Sequence, residues 1–144
     1  MAQSRPRPLS PHLSIWRWGP HMLISILHRA TGSGMAIFGG LGLTWWLYAI
    51  ANGPASYANF QYYMWEADAG DMAGLTANVF CRVVLIGLSW AFFQHFFSGL
   101  RHLVLDMGAG YELQTNKRWA MVVMIAALIA TVAFWAYILA GKVS

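Results

Sequence analysis

Two groups of side chains in this 144-residue sequence have types and spacings that could do chemistry. The first is His95, Gly99, Arg101, His102 and Asp106. At 100° per residue, positions 95, 99, 102 and 106 point in nearly the same direction on a helix, a polar stripe roughly 16 Å long facing something other than lipid. His95 sits among Trp90, Phe92, Phe93, Phe96 and Phe97. An ionisable group in such apolar surroundings is costly and by default marks a functional site or a buried pairing. A neutral imidazole there can hydrogen-bond to a neighbouring helix, ligate a metal such as haem iron, or relay a proton, and the spacing leaves all three open. Geometry sets one limit. His95 and His102 lie about 10.5 Å apart along one face, so they cannot be the two axial ligands of a single haem, which approach the iron from opposite sides. His28 adjoins Arg29 at a shallower level, so a second ligand to a metal at His95 is expected from another subunit.

The second group is Ser25, His28 and Arg29, in the run Ser25-Ile26-Leu27-His28-Arg29-Ala30-Thr31-Gly32. Ser25 and Arg29 are four apart and share a helix face, with His28 one residue round. A guanidinium and a hydroxyl at a membrane surface could hold the carbonyl oxygen of a lipid-soluble quinone and stabilise negative charge developing on it. The same pattern also fits an arginine reaching its head into the lipid headgroups beside a serine at a helix start.

The elements that position these groups follow from composition. Residues of the set AVILMFWYC make up 58% of the chain and charged residues 10%, with a mean hydropathy of +0.49, far too apolar for an ordinary soluble domain. Three stretches free of Asp, Glu, Lys and Arg carry the excess, 30–65, 83–100 and 119–141. Each can supply the roughly 20 apolar residues that a helix needs to cross about 30 Å of hydrocarbon. A soluble enzyme with a polar cleft is excluded, and so is a disulfide scaffold, because Cys81 is alone. The net charge of +4 is not a nucleic-acid footprint, since the basic residues are not clustered on a soluble face.

The sequence therefore predicts an all-α integral membrane protein, a three-helix transmembrane bundle forming a single membrane-anchor domain over 1–144. Its parts are a cytoplasmic surface segment at 1–20, helix one at 21–51, an outside loop at 52–74, helix two at 75–105, an inside loop at 106–116 and helix three at 117–140. Pro20 suits a first helical turn. Arg5, Arg7, Arg17, Arg29, Arg101, Lys117 and Arg118 fall on one side and Arg82 and Lys142 on the other, which puts the amino terminus in the cytoplasm. Within helix one, Gly32, Ala36 and Gly40 recur every four residues and offer a face for close helix approach, while Trp45, Trp46 and Tyr48 match an aromatic belt. Arg82 is expected to snorkel to the headgroups. The aromatic cluster Tyr57, Phe60, Tyr62, Tyr63 and Trp65 could support a short interfacial helix in the outside loop. The amino-terminal segment has no apolar core of signal-peptide type.

Three motifs in order carry a resemblance: Arg7-Pro8-Leu9-Ser10-Pro11-His12-Leu13, the run from Ser25 to Gly32, and His95-Phe96-Phe97-Ser98-Gly99-Leu100-Arg101-His102 with Asp106. Together with the three spans they resemble the cytochrome b subunits of succinate dehydrogenase, the larger membrane anchors of respiratory complex II. The resemblance implies one half of a heterodimeric anchor that shares haem b with a second, smaller anchor subunit. His95 matches the haem axial ligand, and thus the iron ligand, with the other histidine supplied by that smaller subunit. Ser25 and Arg29 match residues of the ubiquinone site near the iron–sulfur subunit. His28 matches a residue close to the haem propionates, which Arg29 could also serve. His102 and Asp106 match positions of structural or electrostatic role. The implied partners are the flavoprotein, iron–sulfur and small anchor subunits and membrane lipid, with no nucleic acid, in a bacterial plasma membrane in preference to a mitochondrial one. Succinate oxidation belongs to other subunits, because the chain lacks a nucleotide fingerprint and cluster-binding cysteines. Two alternatives stand beside this reading, a cofactor-free structural membrane adaptor and the equivalent anchor of a fumarate reductase. A transporter subunit is disfavoured, since the ionisable groups gather towards one surface.

Overall fold

The computed structural model describes residues 17–68 and 70–141. The Arg7 to Leu13 motif and Lys142 lie outside the described residues. Among the described residues every regular element is helical and there is no strand. Three helices are long and apolar enough to cross a membrane: helix one, Pro20–Ala51, helix two, Met72–Asp106, and helix three, Leu113–Ala140. A helix satisfies its own backbone N–H and C=O groups, which lipid cannot do. Two ends of the bundle can be distinguished, one where helix one begins and helix two ends, the other carrying the connection between those two helices.

Helix one opens at Pro20, in the first turn after Gly19, where the missing proline N–H would have no helical partner anyway. Midway, Met35–Gly39 forms a π turn. A wider turn takes an extra residue, so a four-residue repeat running through it does not stay on one face. Of the expected small-residue stripe, only Gly32 meets helix two closely; Ala36 is exposed and a β-carbon on Gly40 would meet nothing within 4 Å. The helix stops at Asn52 and Gly53, where Gly53 adopts φ 86°, a left-handed conformation that suits glycine. The Asn52 side chain donates to the Tyr48 carbonyl at 2.8 Å.

The connection at 52–74 is mostly helical. Pro54–Gln61 is an α-helix that runs on into a π turn at Tyr62–Glu66. Phe60 and Met64 bury against Ala49 of helix one, with Cys81 and Leu85 of helix two packed alongside. Polar clasps complete the junction. Buried Asn78 donates to the carbonyls of Tyr62 and Tyr63 at 2.7 and 2.8 Å, and accepts from the Ala67 N–H at 3.2 Å. Arg82, exposed at this end, donates to the Trp65 carbonyl at 3.0 Å. Asp71 caps helix two through the Ala73 N–H at 3.1 Å and accepts from the Tyr62 hydroxyl at 2.6 Å. That hydroxyl bond, seconded by the Gly74 N–H, holds the Asp71 carboxyl below the usual carboxylate range. The cap starts helix two at Met72 rather than 75, and helix three likewise starts at Leu113 rather than 117.

Helix two packs against both other long helices. Where the three meet, Ile24, Ala120 and Val123 are buried together, with Phe97 and Met124 against them. The most buried line along helix two is therefore Ala91, Gln94, Ser98 and Arg101, the direction shared by two flanking neighbours. His95, Gly99 and His102 lie one residue round, half-buried, and Asp106 is exposed. The predicted stripe is thus only partly covered.

Replacing Asn78 by alanine leaves the Ala67 N–H and the Tyr62 and Tyr63 carbonyls without that partner, at about 1–3 kcal/mol for each group left unpaired. Amide exchange across 54–66 should accelerate while the centres of the long helices stay protected. Wild-type exchange in this segment would contradict the clasp.

Candidate functional site

The site lies where helix one meets helix two, and a missing side chain permits it. An ideal β-carbon on Gly32 would stand 2.8 Å from His95 Cε1 and 3.2 Å from His95 Nδ1, closer than side chains tolerate. With glycine there, the His95 ring lies against the backbone of helix one. His95 Nδ1 is 2.9 Å from the His28 carbonyl oxygen. A carbonyl only accepts, so Nδ1 carries the hydrogen and the Nε2 lone pair of the neutral ring is left available. Among the described residues Nε2 has no hydrogen-bond partner. Thr31 lies beside the same nitrogen: its hydroxyl is 3.4 Å from His95 Nδ1 and donates to the Leu27 and His28 carbonyls at 2.7 and 3.1 Å.

His28, which the sequence placed at a shallower level than His95, is in direct contact with it. The two imidazoles stack with centroids 3.9 Å apart and planes 10° from parallel. The close approach at Gly32 brings them together. His102 meets the His28 ring edge-on, centroids 4.9 Å apart. Stacked rings cannot hold one iron between them, because axial ligands aim their nitrogens at the metal from opposite sides. His28 Nδ1 is 2.6 Å from Ser98 Oγ, and the Ser98 hydroxyl donates to the His95 carbonyl at 3.0 Å.

Ser25 and Arg29 lie on the same face, as their spacing predicts, yet their side chains do not bond to each other. Arg29 Nε donates to the main-chain carbonyl of Ser25 at 3.4 Å. Arg29 is exposed and Ser25 half-buried. Among the described residues no carboxylate pairs with this guanidinium, and the Ser25 hydroxyl has no partner. An apolar groove of about 410 Å³ opens beside Thr31, between helices one and two, with Leu27, Gly34, Phe38 and Gly87 in its walls.

Several polar residues here escape a reading based on charge. Ser98 and Gln94 are fully buried, and the Gln94 amide has no hydrogen-bond partner among the described residues. Arg101 is buried and donates through Nη2 to Asn116 Oδ1. The available signal was a neutral polar residue inside a Phe-rich run, at 94 and 98 on one face.

The chain that carries this three-helix bundle is similar to known proteins. The sequence model of the succinate dehydrogenase/fumarate reductase transmembrane subunit matches residues 3–134. The chain belongs to this family. The succinate dehydrogenase cytochrome b556 subunit of Paracoccus denitrificans is 29% identical over 126 residues, covering 88% of this chain and 87% of the relative. Its namesake in Rickettsia felis is 30% identical over 131 residues, 90% of each chain. The mitochondrial succinate dehydrogenase cytochrome b560 subunit of Sus scrofa is 30% identical over 130 residues, covering 88% of this chain and 68% of the relative. The family thus includes bacterial and mitochondrial members, and all three names describe cytochrome b subunits.

Gly32→Ala should push the His95 ring from its seat, since the new β-carbon would meet Cε1 at 2.8 Å. Overpacking of this kind costs typically 1–3 kcal/mol, about enough to lower the thermal midpoint of the purified protein by several degrees. Gly34→Ala, where nothing lies within 4 Å, serves as the control. Equal midpoints for the two variants would contradict the close approach at Gly32.

Proposed function

We propose that this chain is the cytochrome b membrane anchor of a succinate:quinone oxidoreductase, with His95 as an axial ligand of haem b. One observation carries the reading: His95 Nδ1–H is spent on the His28 carbonyl, which leaves Nε2 as the only ring nitrogen able to bind iron. Ligating histidines characteristically donate their other N–H to a carbonyl or carboxylate, which fixes the tautomer and makes the ligand more basic. The seat formed by Gly32 fits this role, because it holds the ring without blocking Nε2. Haem, when bound, supplies one-electron redox chemistry. A second ligand would come from the smaller anchor subunit, since His28 is stacked on His95 and does not face it. His28 and Arg29 would serve the haem propionates.

Ser25 and Arg29 form this chain's part of the ubiquinone site. A quinone takes up two electrons and two protons on reduction, so negative charge develops on its carbonyl oxygens before protons arrive. The exposed guanidinium of Arg29 offers a permanent positive charge there, and the unpartnered Ser25 hydroxyl a hydrogen bond. Only one N–H of Arg29 is engaged within the helix. With the amino terminus cytoplasmic, this end of the bundle faces the iron–sulfur and flavoprotein subunits, and protons come from cytoplasmic water. In a bacterium the chain lies in the plasma membrane. The family description spans both succinate dehydrogenase and fumarate reductase, and the same residues would serve either direction.

Arg29→Ala should lower quinone reduction by the assembled complex about 10²-fold, the usual effect of removing one charge-stabilising donor. Succinate oxidation with an artificial acceptor should persist. Unchanged quinone kinetics would remove Arg29 from the site. His95→Ala should abolish the bis-histidine haem signal in a complex whose subunits are still present in equal amounts. A retained bis-histidine signal would remove His95 as the ligand.

A further inference from the structure

We infer that Ser98 is a positioning residue that sets the ring plane of His95, acting through His28. The inference rests on the reading of His95 as a haem ligand and goes beyond it, because it concerns how that ligand is oriented. Three hydrogen bonds form a closed circuit between helices one and two. His95 Nδ1–H donates to the His28 carbonyl at 2.9 Å. The Ser98 hydroxyl has a single hydrogen, and it goes to the His95 carbonyl at 3.0 Å. Ser98 Oγ also lies 2.6 Å from His28 Nδ1, so this one hydroxyl bridges the His95 carbonyl and the His28 ring. Each histidine is thereby held at both its side chain and its main chain, and Ser98 is the link that closes the circuit.

The consequence for His95 is steric as well as polar. The His28 ring covers one face of the His95 ring at 3.9 Å, nearly parallel to it. Turning His95 about its Cβ bond would have to displace His28, and His28 is tied to Ser98. A lone bond to the His28 carbonyl fixes where Nδ1 points, but leaves the tilt of the ring about that direction to packing. The Ser98 bond supplies the missing restraint. Ser98 itself is fully buried within the bundle, so no water competes for its hydroxyl. In a haem with two imidazole ligands, the angle between the two ring planes governs the anisotropy of the low-spin ferric iron. Ring orientation can thus be read from the g-values, independently of turnover.

Ser89 provides a matched control on the same helix. Its hydroxyl also donates back into helix two, to the Leu85 carbonyl at 2.8 Å, but it holds no histidine. The experiment is electron paramagnetic resonance of the oxidised, intact complex carrying Ser98→Ala or Ser89→Ala, with haem quantified in each. Both substitutions only remove an oxygen, so neither adds bulk to the bundle. The expected result is a shifted or broadened largest g-value in Ser98→Ala, and a wild-type signal in Ser89→Ala. Loss of haem from an intact complex in Ser98→Ala alone would also support the role. A wild-type signal at wild-type haem content in Ser98→Ala would overturn it, as would equal shifts in both variants. A bis-histidine signal that survives His95→Ala would instead overturn the ligand reading, so the two failures are distinguishable.

Discussion

The hydrogen bond from His95 Nδ1 to the His28 carbonyl is the contact on which the arrangement of helices one and two depends. Within a bilayer an imidazole N–H has no water to turn to, and leaving it unpaired costs several kcal/mol, on the order of what a backbone group would cost there. The nearest acceptor is a main-chain carbonyl, which can be reached only if the helices come close. That requirement falls on Gly32, where a β-carbon would collide with the ring. Rotating helix two by one residue would carry Gln94 or Phe96 to this point and strand the imidazole. Register, glycine and tautomer are therefore one constraint, and the free Nε2 is its by-product.

At the opposite end the same two helices are joined by a second set of polar contacts. Asn78 and Arg82 of helix two reach main-chain carbonyls of the connecting segment, and Asp71 holds Tyr62. Helix one is thus anchored near His28 by histidine contacts and near Ala49 by the buried cluster with Phe60 and Met64. The π turn at Met35–Gly39 lies between these anchors. One wider turn is a small adjustment that lets a helix satisfy two fixed contacts, at the cost of a locally weaker hydrogen-bond pattern.

Much of the fold was legible because a membrane imposes a crude and strong pattern. Three long stretches without charge announce three spans, and Pro20 announces where helix one begins. The candidate site residues His28, Arg29 and His95 stand out for the same reason, being conspicuous where charge is rare. What stayed hidden was pairing. Ser98, Gln94, Asn78 and Asn116 are neutral, so charge counting passes over them, and several of their partners are main-chain carbonyls that no residue letter marks. The burial of Arg101 was hidden too, because a basic residue near a helix end reads as a topological signal. The 95, 99, 102 and 106 stripe was read at the right pitch, but the most buried direction lies one residue away, between two neighbouring helices rather than towards one. Likewise the four-residue glycine repeat assumed an unbroken α-helix, which the π turn interrupts.

The histidine pair gives the proposed role a concrete physical basis in this chain: one His95 ring nitrogen is tied to helix one, the other is left free, and the stacked His28 ring does not face it. The reduced-minus-oxidised absorption spectrum of the complex, isolated in mild detergent with its partner subunits, tests this most directly. A b-type haem at one per copy of this chain is the expected result. An intact complex that contains this chain and carries no haem would contradict it.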